Sequence, residues 1–223
     1  MPETAIVAGV GPSLGEAVVR EFADRGCTVG AIARSTDYLH DLADEVDGVV
    51  PLPADITDPE AVAAAVADFH DAAGPVECLV LNAFFTDTRP GGVREVDLDT
   101  LVGDWEVNVY GAVACVKACL DDLADRRGTV VFTGSPYAHR PTGDSLAWDS
   151  TTPAVHGLAG SLARDLAPAV HVAYAVVDGG IGTASGALDP RHVAQEYWHL
   201  AEQPPDARTF ELDLRPTEES VRT

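Results

Sequence analysis

The first thirty-four residues constrain this chain more than any other stretch. Thr4-Ala-Ile-Val-Ala8 is a short apolar run that leads straight into Gly9-Val-Gly11-Pro-Ser13-Leu14-Gly15. A helical pattern follows, then a second apolar run, Thr28-Val-Gly-Ala-Ile-Ala33, closed by Arg34. A strand, a glycine-rich turn, a helix and a second strand form one half of a nucleotide-binding α/β unit. In that unit Gly9 permits a tight turn and Gly11 leaves room for backbone to approach a phosphate. Gly15 lets the first helix pack close, and the helix N-terminus offers N–H groups and positive dipole to a pyrophosphate. Leu14 opens that helix, and Ser13 is small enough to leave phosphate access and adds a hydroxyl donor.

The same alternation runs through the rest of the chain. Strand-like runs lie at about 4–8, 28–33, 48–52, 77–82, 128–134, 170–177 and 208–214, with helical patterns at about 14–25, 36–46, 58–73, 98–124, 150–167 and 190–202. Several strands are continuously apolar, as in Glu77-Cys-Leu-Val-Leu-Asn82, which is expected where helices cover both faces of a parallel sheet. Asp58-Pro59-Glu60 reads as an N-cap with Pro at the first helical position, and Gly26 and Gly74 read as helix ends. Right-handed crossovers turn this pattern into a doubly wound parallel sheet. At 223 residues the chain is expected to be one domain, residues 1–223, with no linker and no repeat.

Two further positions face the nucleotide end. No Asp or Glu stands at 34–36, where many such sheets hold a ribose hydroxyl; Arg34, Ser35 and Thr36 stand there. An arginine with hydroxyls beside it suits a 2′-phosphate, so NADP(H) is expected in preference to NAD(H), which stays possible. The competing reading makes Arg34 a surface residue offsetting Asp37 and Asp41. Asp55-Ile56, after the third strand, is placed to bracket adenine, and Asn82-Ala83 ends the fourth strand beside the expected nicotinamide ribose.

Charge narrows the partners. Thirty-six acids oppose fourteen basic residues, for a net charge of −22, and Lys117 is the only lysine. The acids are spread over helix faces and turns, as in proteins of salt-loving microbes, where screening suppresses self-repulsion. No basic patch is available to neutralise a nucleic-acid backbone. No apolar run reaches membrane-spanning length and no secretion signal leads the chain, so a cytoplasmic protein is expected. Cys27, Cys78, Cys115 and Cys119 sit in apolar contexts and read as buried thiols. No His, Asp and Glu share a recognised metal-ligand spacing, so no metal is expected.

Several stretches together resemble the short-chain dehydrogenase/reductase family, in family order and over nearly the whole chain. They are Ala8-Gly9-Val-Gly11-Pro-Ser-Leu-Gly15, Asp55-Ile56, Leu79-Val-Leu-Asn82-Ala83, Trp105-Glu-Val-Asn108-Val and Phe132-Thr-Gly-Ser135. Gly157-Leu-Ala-Gly-Ser-Leu-Ala-Arg-Asp-Leu-Ala-Pro168, Val177-Asp-Gly-Gly-Ile181-Gly-Thr183 and Phe210-Glu-Leu-Asp-Leu-Arg-Pro216 continue the series. The resemblance implies a Rossmann-type fold with seven parallel strands in the order 3-2-1-4-5-6-7. It also implies NAD(P) as redox partner, a small-molecule substrate, and homo-oligomers, dimeric or tetrameric, built on the long helices. Gly180, Ile181 and Thr183 match the stretch that holds the nicotinamide carboxamide.

The family's proton-transfer set is an Asn, a Ser, and a Tyr and Lys in Tyr-x-x-x-Lys. Asn108 and Ser135 match the first two, but the register from Ser135 and from Gly157 places Trp148 and Thr152 where Tyr and Lys belong. An indole N–H donates a hydrogen bond and cannot relay a proton, and a threonine carries no charge. Trp148 then reads as a platform or wall against nicotinamide. Tyr137 and His139, in the loop after Ser135, are the candidate replacements, and His139 has a suitable intrinsic pKa. His156 shares a helix face with Thr152 and reads either as a reach toward the cofactor or as a helix contact. Phe84-Phe85 would narrow the cleft into an apolar wall. Two readings follow: an NADP(H)-dependent oxidoreductase of atypical mechanism, acting on a small carbonyl, alcohol or activated double bond; or a weakly active dinucleotide-binding module. A structural subunit with no cofactor is the third and would not need the glycine loop.

Overall fold

A computed structural model of the chain describes residues 1–84, 91–182, 184 and 186–216. The strands are β1 (Thr4–Ala8), β2 (Thr28–Ala33), β3 (Val49–Pro53), β4 (Cys78–Leu81), β5 (Thr129–Gly134), β6 (His171–Val177) and β7 (Glu211–Leu214). They form one sheet in the order β3-β2-β1-β4-β5-β6-β7, parallel throughout. Between them run α1 (Leu14–Asp24), α2 (Thr36–Glu45), α3 (Pro59–Ala73), α4 (Leu98–Trp105), α5 (Ala112–Arg126), α6 (Leu146–Asp165) and α7 (Pro190–Ala201). This is the expected Rossmann-type doubly wound sheet.

The apolar runs work as predicted because each strand feeds two cores. On β1, Ile6 and Ala8 face one core with Phe69 of α3, Cys115 of α5 and Val155 of α6. Ala5 and Val7 face the other, with Phe22 of α1, Leu39 of α2 and Trp198 of α7. The two-residue period of a strand thus sends neighbours into opposite layers, and both faces are apolar beyond the strand starts, where Thr4, Thr129 and His171 are buried. All four cysteines are buried and free; burial pushes the Cys27 and Cys115 thiols up to about 12, which keeps them un-ionised. No described helix is long and apolar enough to cross a membrane.

Three boundaries depart from the sequence pattern. The single helix expected over 98–124 is interrupted by a wide turn with π-type bonding, Glu106–Gly111, between α4 and α5. Periodicity does not register an inserted residue of this kind, and such turns concentrate near functional sites. Gly111 is required there, since a Cβ on it would stand 2.8 Å from the Ile56 side chain. Helix α6 starts at Leu146, earlier than residue 150, although Pro153 lies inside it. Proline at an interior position removes one N–H and disturbs the preceding turn. The hydroxyls of Thr151 and Thr152 donate to the carbonyls of Ala147 (2.8 Å) and Trp148 (2.7 Å) there. Strand β7 begins at Glu211, later than residue 208. Thr209 is bound by the Gln203 side chain through two hydrogen bonds, 2.7 and 3.0 Å, before sheet pairing starts.

Candidate active site

A cleft of about 1290 Å³ opens along the carboxyl ends of the strands, at the switch between β1 and β4. It exceeds the usual 300–1,000 Å³ or so of a single small-molecule pocket, leaving room for a dinucleotide and a substrate. Gly9, Gly11, Ser13, Leu14 and Gly15 line it on one side, with Arg34, Ser35, Asp55 and Ile56 where β2 and β3 end. Asn82, Ala83, Phe84, Ser135, Tyr137, Trp148, Gly180 and Ile181 line the rest. Thr183 and Phe85, both expected here, lie outside the described residues.

The glycine loop is fixed from behind. Gly9 adopts φ +96°, and a Cβ on it would fall 2.2 Å from the Ala83 nitrogen. A Cβ on Gly15 would meet the Gly9 carbonyl oxygen at 2.5 Å, so the loop and the first turn of α1 are packed backbone to backbone. Gly11 instead has nothing within 4 Å, leaving its side of the loop open to a ligand. Ser13 makes no side-chain cap to α1. Glu16, in the first turn, is occupied by the Tyr38 hydroxyl at 2.7 Å and Arg20 Nε at 2.8 Å. These bonds, the tyrosine's foremost, hold its carboxyl below the usual range and keep the charge engaged away from the cleft.

Asn82 does more structural work than its sequence position indicated. Its Nδ2 donates to the Gly9 carbonyl at 2.8 Å, and its Oδ1 accepts from Thr133 at 3.1 Å. Tyr197, fully buried on α7, donates to Thr133 Oγ1 at 2.8 Å. This Tyr197–Thr133–Asn82–Gly9 chain ties three elements to the nucleotide loop. Nothing in sequence spacing announces it.

Arg34 is exposed at the cleft edge and pairs with neither Asp37 nor Asp41. The Asp55 carboxylate accepts from the Thr57 N–H at 2.9 Å and hydroxyl at 2.8 Å. That backbone bond chiefly lowers its pKa, with the nearby Arg34 charge adding to the effect. One Asp55 oxygen is thus already committed to its own turn.

At the other end Ser135 and Tyr137 stand together. Ser135 Oγ accepts from the Tyr137 N–H at 3.4 Å, and the Ser135 N–H donates to the buried Tyr174 hydroxyl at 3.3 Å. Gly134 makes room for that ring, since a Cβ there would lie 2.1 Å from it. Burial raises the Tyr174 phenol to about 12. Trp148 meets Tyr137 edge-on at 5.1 Å and Phe84 at 5.1 Å, giving the cleft an aromatic wall. Asp149, beside it, accepts from the Thr142 and Gly143 N–H groups and closes the loop before α6. Arg140 pairs with Asp178, joining the segments after β5 and β6. Ile181 pairs back onto Leu188, so the covering segment is short.

Four candidates from the sequence are placed elsewhere. Asn108 is buried in the wide turn behind Val107 and does not line the cleft. Thr152 is 1% exposed, with its hydroxyl given to the Trp148 carbonyl, so it too stays behind the wall. His139 turns away toward Glu211, 3.1 Å from its Nε2, because the short helical turn Pro136–Ala138 swings the chain past the cleft. His156 also reaches Glu211, at 2.8 Å, and not the cofactor side.

The fold and cleft define an open α/β protein built around a dinucleotide-sized site. More narrowly, the short chain dehydrogenase family matches residues 3–219, and the chain belongs to that family. A cis-2,3-dihydrobiphenyl-2,3-diol dehydrogenase of Pseudomonas sp. (strain KKS102) is 34% identical over 191 residues, covering 81% of this chain and 67% of that protein. A short chain dehydrogenase of Pseudocercospora fijiensis is 31% identical over 192 residues, covering 84% of this chain and 62% of its own length. The chain thus spans roughly two-thirds of these curated relatives. Among solved structures, an alcohol dehydrogenase from the archaeon Thermococcus sibiricus, complexed with 5-hydroxy-NADP, superposes with a TM-score of 0.90 at 24% identity. That match covers 98% of each chain. A short-chain dehydrogenase from Rhodopseudomonas palustris gives 0.85 at 26% identity, over 96% of this chain and 98% of that one.

Proposed function

We propose that this protein is an NADP(H)-dependent oxidoreductase for a small apolar carbonyl, alcohol or activated double bond, with Tyr137 in place of the family's usual proton donor. The carrying observation is that the glycine loop and the Ser135–Tyr137 turn line one cleft, while His139 does not. The nucleotide would supply or take the hydride. The Gly11 opening and the α1 N-terminus suit its pyrophosphate, and Arg34 with Ser35 suits a 2′-phosphate. Ser135 Oγ orients the substrate oxygen, and the Tyr137 phenol exchanges a proton with it. Where a double bond is reduced, water can deliver that proton. Phe84 and Trp148 exclude water from an apolar substrate. This agrees with relatives named for dihydrodiols of aromatic rings and with the NADP named for the archaeal enzyme.

One observation supports the second reading, a weakly active nucleotide-binding module. Among the described residues lining the cleft, Arg34 is the only Lys or Arg, and no ammonium stands near Tyr137 to tune it. Fluorescence titration of NADPH and NADH at molar KCl, which screens the −22 charge, followed by a carbonyl and enone screen, separates the two. Turnover supports the enzyme; NADPH binding without turnover supports the module; no binding of either nucleotide refutes both. Arg34→Ala is expected to weaken NADPH by about 10–100-fold, the loss of charge-assisted bonds, and to leave NADH nearly unchanged. Equal losses for both nucleotides would remove the 2′-phosphate role.

The proposal includes a homo-oligomer. Leu98, Val102 and Trp105 lie at helical spacing on α4 and are 69%, 54% and 39% exposed, with Tyr110 at 54% just beyond. Val102→Asp is expected to shift the protein toward monomer in light scattering at molar salt; an unchanged mass would exclude this face.

A further inference from the structure

Outside the cleft, three potential ligands converge from three elements distant in sequence. His139 follows the short turn after β5, His156 lies on α6, and Glu211 opens β7. The two histidines are separated from Glu211 by 72 and 55 residues. Their Nε2 atoms approach the same Glu211 Oε2 at 3.1 and 2.8 Å, and all three ligand atoms lie within 4.8 Å of one another. Ligands about 2.0–2.2 Å from a tetrahedral zinc ion are roughly 3.3 Å apart. The two histidine–Glu211 distances are close to that edge, and the two imidazole nitrogens lie within 4.8 Å of each other.

The cluster is also partly pre-arranged. The His156 ring is held edge-on against Tyr174 at 4.9 Å and His139 at 4.6 Å, with Phe210 beside it at 5.8 Å. Glu211 is fixed by pairing of β7 with β6, where it sits opposite Tyr174. His139 and Glu211 remain 44% and 37% exposed, so an ion and a completing water have access.

We propose that His139, His156 and Glu211 form a binding site for a zinc-class divalent transition ion. Two imidazoles and one carboxylate are a nitrogen-rich set that favours zinc over magnesium or calcium, whose shells are oxygen. A bound ion ties the loop carrying Ser135 and Tyr137 to α6 and to the edge strand β7. It clamps the substrate side of the cleft from outside and contributes no ligand to the cleft itself.

The test uses untagged protein, stripped with chelator, at molar KCl. Calorimetric titration with zinc chloride is expected to show one site per chain, with magnesium chloride giving none at the same concentration. Zinc at a hundredfold excess over its Kd should raise Tm by roughly 5–10 °C. Loss of supporting residues around metal ligands alone weakens binding by about 10–100-fold, so His139→Ala, His156→Ala and Glu211→Gln are each expected to weaken zinc by at least about 100-fold. His139 is exposed on a loop, so His139→Ala keeps the test valid even if His156→Ala misfolds; circular dichroism checks the fold. Anomalous density at the zinc edge, between the three side chains, would support the site directly. Absence of one-to-one uptake, or uptake unchanged by His139→Ala and Glu211→Gln, would overturn it and assign the zinc to the acidic surface.

Discussion

Tyr137→Phe is expected to lower turnover of a carbonyl substrate by roughly 10²–10⁴-fold while leaving NADPH affinity in place. Among the described residues lining the cleft, Tyr137 is the only tyrosine, with no histidine, cysteine or lysine beside it, and its backbone N–H already bonds Ser135 Oγ. Removing the hydroxyl keeps the ring against Trp148, so the wall and the fold survive. The change should therefore appear in kcat, with little effect on KM. In chelator-stripped protein His139→Ala serves as the contrast, because His139 faces Glu211. If Tyr137→Phe turns over as fast as the parent, the proton comes from water, and the chemistry is confined to substrates that permit it.

Gly9→Ala is expected to destabilise the fold by about 2–5 kcal/mol and to abolish nucleotide binding in whatever folds. Two costs combine: a left-handed backbone imposed on a residue with a Cβ, about 1–2 kcal/mol, and overpacking, about 1–3 kcal/mol. The second is at the high end here, since the new atom would lie 2.2 Å from the Ala83 nitrogen, which belongs to backbone that cannot rotate away. Movement of Ala83 would also disturb Asn82 and its bond to the Gly9 carbonyl. Gly11→Ala separates fold from ligand. A Cβ there meets nothing within 4 Å, so denaturation midpoints should stay near the parent while NADPH binding falls. Equal destabilisation by both changes, measured in denaturant at molar KCl, would show that the loop has no open side.

The fold was legible because its signals are local and redundant. Continuous apolar strands, the Asp58-Pro59 start and the glycine ends each act within a few residues, and the seven-strand order follows from the family resemblance. The glycine loop was legible for the same reason: Gly9 and Gly15 act through their own backbone, and Arg34 reaches the cleft edge because it closes β2. The wide turn at Glu106–Gly111 was not legible, because apolar periodicity continues across an inserted residue. The Ser135 end of the cleft was read only in part. Tyr137 and His139 are two residues apart and equally plausible in sequence, but the turn Pro136–Ala138 sends one to the cleft and the other to Glu211.

By itself, then, the sequence determined the doubly wound sheet, the glycine loop, and the presence of Trp148 and Thr152 where an acid and an ammonium are expected. Those features depend on neighbours along the chain. Only the tertiary structure decided that Asn82 is a strut shared with Thr133 and Tyr197. It likewise brought His139, His156 and Glu211 to one point. Each depends on a side chain's direction and on partners tens of residues away, set by the twist of the sheet and the packing of helices on it, which no local pattern encodes.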